Sequence, residues 1–226
     1  MEQAVNKKEG ESLPTIYLIS GLGADARVFG ELDLPGYEWK HLDWIEPVPG
    51  ESLASYAHRL SEPIRDVNPV IIGVSFGGMV AAEMAVQRNW SRVLLIATVR
   101  CRSELPWYYR LAGFIRLHRL LPVKWMLRPG KMKDWFFGVR TQPHRKMLAA
   151  ILRDTNPVFF KWAIGALLER PDDRAVTFPH LHGDADRILP TRYVHADCII
   201  PGAGHFLPVT HSATLSEWIR QQLPML

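Results

Sequence analysis

Only two of the 226 residues are cysteine, Cys101 and Cys198. Two thiols make no disulfide framework, and no metal-ligand spacing accompanies them, so no metal is expected. Long apolar runs are missing as well. Nothing uncharged approaches the ~18 residues of a membrane span, which excludes stable insertion into a bilayer. Met1 to Ser12 is polar and charged, without the apolar centre of a secretory signal, so a cytoplasmic location is expected. Nor is there a strong charge excess: 27 Lys and Arg against 23 Asp and Glu give a net charge of +4. That balance falls short of the clustered cations of a nucleic-acid binder. Internal repeats and linker-like stretches are absent, and residues 1–226 read as a single domain. The apolar fraction of 47% and charged fraction of 22% are ordinary for a globular chain. The length suffices for one sizeable α/β core.

What is present starts with Gly73-Val74-Ser75-Phe76-Gly77, followed by Gly78. Val70–Val74 reads as a strand, and Phe76–Arg88 is so apolar that it reads as a helix buried against the sheet. Strand, Gly-x-Ser-x-Gly and helix is the setting of a nucleophile elbow, a turn too sharp for side chains two positions either side of the serine. The same pentapeptide could be a plain strand-to-helix turn. Two later segments decide between them. Residues 182–190 read His-Gly-Asp-Ala-Asp-Arg-Ile-Leu-Pro, and residues 202–206 read Gly-Ala-Gly-His-Phe. An acid and then a histidine follow the serine, in the order Ser…Asp…His.

Strands are also expected at Thr15–Ser20, Trp39–Ile45, Val93–Val99, Val176–Leu181 and Ala196–Ile200. Leu53, Tyr56, Ala57, Leu60 and Ile64 form a helical stripe with Ser52 as N-cap. Thr214-Leu-Ser-Glu217 has the form of a capping box opening the last helix. Six strands alternating with helices predict an α/β fold: a doubly wound, mostly parallel six-stranded sheet. Between residues 101 and 170 the strand pattern lapses into aromatics and cations, a small helical cap.

On these motifs the chain resembles the α/β-hydrolase superfamily, in particular its small esterase- and thioesterase-like members, from about Thr15 to the C-terminal helix. The resemblance implies a hydrolase fold, here with too few residues before the first strand for an N-terminal hairpin. It implies a cofactor-independent serine hydrolase cleaving a carboxylic ester or thioester through an acyl-enzyme. Ser75 would be the nucleophile, His205 the base, and Asp186 the acid, three residues after Gly183 as in the family's Gly-x-x-Asp-x-x-x-Pro pattern; Asp184 would brace the turn. The backbone N–H groups of Leu22 and Phe76 would form the oxyanion hole. Relatives usually carry His-Gly at the start of the Leu22 loop, where this chain has Ser20-Gly21. The partner would be a small, apolar acyl substrate.

Other readings share these residues. Carbon–carbon bond hydrolases and cofactor-free peroxidases use the same triad, and a hydrolase-like fold can serve as a non-catalytic binding scaffold. Gly21-x-Gly23-x-x-Ala26, with Asp43 20 residues past Gly23, also fits a dinucleotide-binding fingerprint. In the cap, most aromatics are expected to pack it onto the sheet. Its cations are expected to form a solvated face, with steering of anionic substrates or a role at an anionic lipid surface as further options.

Overall fold

The computed structural model describes residues 14–120, 122–169 and 176–223. Six strands form one sheet: β1 (Ile16–Ile19), β2 (Trp39–His41), β3 (Val70–Val74), β4 (Val93–Ile96), β5 (His180–Gly183) and β6 (Cys198–Ile200). Their order is β2-β1-β3-β4-β5-β6 and every pair is parallel. Helices α1 (Leu53–Ser61) and α2 (Phe76–Arg88) connect the early strands. Five helices lie between β4 and β5: α3 (Trp107–Phe114), α4 (Val123–Met126), α5 (Lys131–Phe137), α6 (Gln142–Asp154) and α7 (Pro157–Leu168). After β6 come α8 (Leu207–Thr210) and α9 (Ser212–Gln222).

Successive strand residues point to opposite faces, and the buried side chains separate accordingly. Ile16, Leu18, Ile72 and Ile96 pack with Leu215, Trp218 and Ile219 of α9 on one side. Tyr17, Ile19, Ile71 and Leu95 pack with α1 and α2 on the other. With both faces covered, β1, β3 and β4 are buried and apolar along their whole length, whereas the edge strand β2 carries Lys40 and His41. Ser52 caps α1 by accepting from the N–H of Ser55 at 3.1 Å.

Several boundaries differ from expectation. Pairing of β2 stops at His41; Trp44 leaves the sheet to pack on Tyr56, Phe76 and Phe159. β4 ends at Ile96 because Ala97 takes a φ of +46°. β5 begins only at His180, directly after Pro179, which has no N–H to give to a ladder. β6 begins at Cys198 rather than Ala196. The capping box at Thr214 does not form. α8 runs almost directly into α9, the carbonyl of His211 receives the Leu215 N–H, and Thr214 lies inside the helix.

Candidate active site

The elbow is built as its glycines require. Ser75 adopts φ 54° and ψ −122°, a strained pair for a residue with a side chain, at the N-terminus of α2. A Cβ on Gly73 would lie 2.6 Å from the Gly77 oxygen and the Gly78 Cα. One on Gly77 would collide instead with the carbonyls of Ile19 and Ser20 at the end of β1. The first glycine thus lets the turn close, and the second lets α2 press on the neighbouring strand. Thr98 locks the turn by donating to the Ser75 carbonyl at 2.6 Å.

The three polar side chains singled out in the sequence converge on this turn. His205 Nδ1 lies 2.6 Å from Asp186 Oδ2, and His205 Nε2 lies 2.8 Å from Ser75 Oγ. A carboxylate only accepts, so Nδ1 carries the proton and Nε2 is free to receive the Ser75 hydroxyl. Asp186 and His205 are buried, whereas Ser75 is half-exposed. Burial pushes the Asp186 carboxyl upward. The charge interaction with His205 and hydrogen bonds from His182 and His205 outweigh that and hold it well below the usual carboxylate range. Its Oδ1 accepts the N–H groups of Ile188 and Leu189, each at 2.8 Å. Asp184 sits apart and accepts the Gly202 N–H at 2.6 Å, bracing the histidine loop. Gly183 permits that loop's approach, since a Cβ there would meet the Ala203 carbonyl.

The loop after β1 faces the serine, with the space beside Gly21 opening 3.4 Å from Ser75 Cβ. Leu22 and Phe76 both line the cavity at Ser75, and among the described residues neither backbone N–H is engaged in a hydrogen bond. Two free donors beside the hydrogen-bonded Ser75–His205 pair suit a developing oxyanion. The loop is held from several sides. Ser20 Oγ donates to the Ala24 carbonyl at 2.7 Å, and Trp44 Nε1 donates to the same oxygen at 3.0 Å. His41 Nε2, from β2, lies 3.1 Å from Ser20 Oγ and ties the loop to the neighbouring strand. Thr155, on the cap, donates to the Gly23 carbonyl at 2.8 Å. His41 and Thr155 carry no local sequence signal; only strand pairing and cap docking bring them here.

The geometry does not suit a dinucleotide. A pyrophosphate rests on the N-terminus of a full helix. Here the loop opens only the 3-10 turn Ala26–Phe29, whose Arg27 N–H is already taken by Asp25. Asp43 pairs instead with His41, at 2.9 Å.

Above the serine lies a cavity of about 510 Å³. Its wall is almost wholly apolar, with Leu148, Ile151, Phe160 and Ile164 from the cap opposite Leu22 and Val74. Burial pushes the Tyr109 phenol, also in this wall, up to about 12, so it meets a ligand uncharged. The cap reaches the His205 loop directly, since the Phe206 N–H donates to the Phe137 carbonyl at 3.0 Å. Arg187 donates to the Trp135 carbonyl at 2.7 Å and stacks on that ring. Most cap aromatics were expected to pack inward. Five do, with Phe159 buried and Tyr109, Phe137, Phe160 and Trp162 packed against the buried clusters, but Trp107, Phe114, Trp125, Trp135 and Phe136 are exposed. The cap helices are too short and too few to enclose so many rings.

Comparison with known proteins agrees with this fold. Residues 14–218 match the model of the Alpha/beta hydrolase family. No curated protein matches the sequence. Among solved structures, a bromoperoxidase from Bacillus anthracis is 18% identical, with a TM-score of 0.66, covering 94% of this chain and 92% of its own. A thermophilic esterase from Thermogutta terrifontis is 21% identical, with a TM-score of 0.66 and coverage of 94% and 90%. A putative lipase from Acinetobacter baumannii is 17% identical, with a TM-score of 0.68 and coverage of 95% and 85%. At these identities the likeness is one of fold. No helix among the described residues is long and apolar enough to cross a membrane.

Proposed function

This chain belongs to the alpha/beta hydrolase family, and from that premise we propose that it is a serine hydrolase cleaving carboxylic esters or thioesters of apolar acyl groups. The observation that carries the proposal is the continuous hydrogen-bonded line from Ser75 Oγ through His205 to Asp186. Ser75 attacks the substrate carbonyl while its proton passes to His205 Nε2. Asp186 stabilises the imidazolium that forms and keeps the ring in its tautomer. The carbonyl oxygen, now negative, lies between the N–H groups of Leu22 and Phe76, where α2 also presents its positive end. Collapse breaks the bond to the alcohol or thiol, which leaves with the proton from His205, and the acyl group stays on Ser75. Water attacks that ester, His205 takes its proton, and the carboxylic acid departs with Ser75 restored.

The apolar wall supports an apolar acyl group. A cavity of about 510 Å³ falls within the usual range for small-molecule pockets. The test is a series of p-nitrophenyl esters of graded acyl length, run beside a small acyl-CoA panel. On burial grounds kcat/KM rises about fourfold per added methylene until the cavity is full. A fluorophosphonate probe labels the protein at Ser75 and leaves Ser75→Ala unlabelled. Absence of labelling, together with unchanged behaviour of Ser75→Ala, favours a binding scaffold instead. The bromoperoxidase neighbour supports a second reading, a cofactor-free peroxidase. Bromination of a test substrate with hydrogen peroxide, acetate and bromide, outpacing ester hydrolysis, would establish that reading.

A further inference from the structure

Ten of the sixteen large hydrophobic residues exposed among the described residues fall between Trp107 and Phe136. Two of them, Phe114 and Leu120, are each 82% exposed, one at the end of α3 and the other in the 3-10 turn Leu117–Leu120 that follows it. Over the same stretch, 105–140, the sequence holds eight Lys or Arg residues and one carboxylate, Asp134. That carboxylate is half-buried and lies 3.7 Å from Arg145. Arg110, Arg119, Lys124, Arg128 and Lys131 are all exposed. Scattered single hydrophobics on a surface need no explanation, but bulky ones gathered among cations do.

The position of the patch adds to its meaning. Leu117, Trp125, Met132 and Phe136 are exposed and also line the cavity above Ser75. These four side chains join the exposed apolar surface of the cap to the cavity at the serine, whose wall also holds Lys133. A second copy of the chain would set eight cations against eight. An acidic protein would answer the charge but leave Phe114 and Leu120 without an apolar medium. An anionic lipid leaflet answers both, since acyl chains accept the bulky side chains while headgroups meet the cations.

We propose that the cap, centred on the Phe114–Leu120 segment, docks onto an anionic lipid surface, and that acyl substrates enter the cavity from that surface. The docking stands by itself; the entry of substrate rests on the hydrolase reading above. Flotation with phosphatidylcholine vesicles, with and without phosphatidylglycerol, tests it. The protein floats with the anionic vesicles alone, less so at high salt, and its tryptophan emission shifts to the blue. Phe114→Ser/Leu120→Ser weakens this binding by about tenfold or more, since two large side chains no longer enter the leaflet. Hydrolysis of dissolved p-nitrophenyl acetate by that variant stays at the wild-type rate. Arg110→Ser/Arg119→Ser, which changes only exposed cations, also weakens binding and serves should the first variant misfold. Equal flotation with both vesicle types, or none, overturns the proposal. So does a wild-type dimer in sedimentation that Phe114→Ser/Leu120→Ser makes monomeric, because a second copy would then cover the patch. Bound vesicles with an intact active site but no gain in hydrolysis of lipid-borne esters would sink only the substrate-entry half.

A separate observation lies behind Asp186. His182, wholly buried in β5, has Nε2 2.8 Å from the Leu189 carbonyl and 3.3 Å from Asp186 Oδ2. Both partners only accept, so Nε2 carries the proton. Nδ1 is then bare and faces His180 Nε2 at 3.5 Å, the limit of a hydrogen bond. Asp186 Oδ2 is thereby held from both sides, by His205 and by His182. We infer that His182 is a positioning residue that fixes Asp186 Oδ2 in line with the His205 ring, an inference that rests on the serine-hydrolase reading. His182→Leu lowers kcat about tenfold at unchanged KM, the worth of one such hydrogen bond. His182→Gln, whose amide can still donate, recovers most of the loss. Nitrogen-15 spectra of the wild-type protein show His182 as the Nε2–H tautomer, whether or not the variants fold. The Nδ1–H tautomer, or a His182→Leu variant as fast as wild type, overturns the inference. Full activity in Ser75→Ala would instead overturn the parent reading.

Discussion

At the elbow a single added carbon has nowhere to go: Gly73 faces the first turn of α2 across 2.6 Å, and Gly77 faces the carbonyls that end β1. In the cap, a Cβ on Gly130 would meet nothing within 4 Å, and Phe114 stands mostly in solvent. Both regions border the same serine. The sheet edge fixes the positions of three side chains to hydrogen-bond accuracy, which only close packing can do. The cap needs only to wall off an apolar space, and many sequences suffice. On the proposed function, one region carries the chemistry and the other the choice of substrate.

Substitutions at the sheet edge should show the largest effects. Ser75→Ala lowers kcat by at least about 10⁴-fold while the far-UV dichroism and thermal midpoint stay near wild type. Residual turnover within tenfold of wild type would contradict the division drawn above. Gly77→Ala acts on stability instead. It drives a methyl group into two backbone carbonyls and lowers the unfolding free energy by about 3 kcal/mol, as read from the urea midpoint. A neutral result would mean that α2 can shift, and that the elbow is less rigid than its contacts imply.

Acid provides a third measure, through a histidine that packs the sheet. Burial, followed by the neighbouring His182 and Arg100, lowers His180 from 6.5 to about 3. Between those values the unfolded chain binds a proton at His180 that the folded chain refuses. Stability is therefore lost as pH falls through that window, by at most about 1.4 kcal/mol per pH unit. Asp186 works in the same direction at lower pH: its lowered carboxyl stabilises the fold at neutral pH, and that contribution is lost as pH falls through and below the ordinary carboxylate range. Urea midpoints of wild type and His180→Leu, measured from pH 7 to pH 4, should show a smaller decline in the variant. Parallel declines would show that His180 is not the group responsible. The smallest effect belongs to the exposed cap segment, where Phe114→Ser changes stability by less than about 0.5 kcal/mol. A loss of several times that would show that the segment packs against something.

The sheet core and the elbow could be read directly from the chain because their signals are local. Unbroken apolar runs mark strands covered on both faces, and Gly73 and Gly77 mark the only way to place a serine on so sharp a turn. Asp186 and His205 followed from their Gly-rich surroundings and from resemblance, not from any contact the sequence displays. The boundaries failed where tertiary contacts outweighed local preference. Trp44 left its predicted strand for an aromatic cluster with Tyr56 and Phe159, and the carbonyl of His211 displaced the capping box at Thr214. The inward packing predicted for the cap aromatics held for Phe159 and the rings beside it and failed at Trp107, Phe114, Trp125, Trp135 and Phe136, because hydrophobicity does not record which side of a short helix faces solvent.

The order of the elements, the residue types at the turn and the identity of the three polar groups were already determined by the sequence, since each depends on spacing along the chain. Which nitrogen of His205 faces Ser75, how His41, His182 and Thr155 support the loops around it, and where the cap opens were decided only by folding. Those relations join residues up to 132 positions apart, as Gly23 and Thr155 are. No pattern along the chain encodes a hydrogen bond between two segments until packing has brought them together.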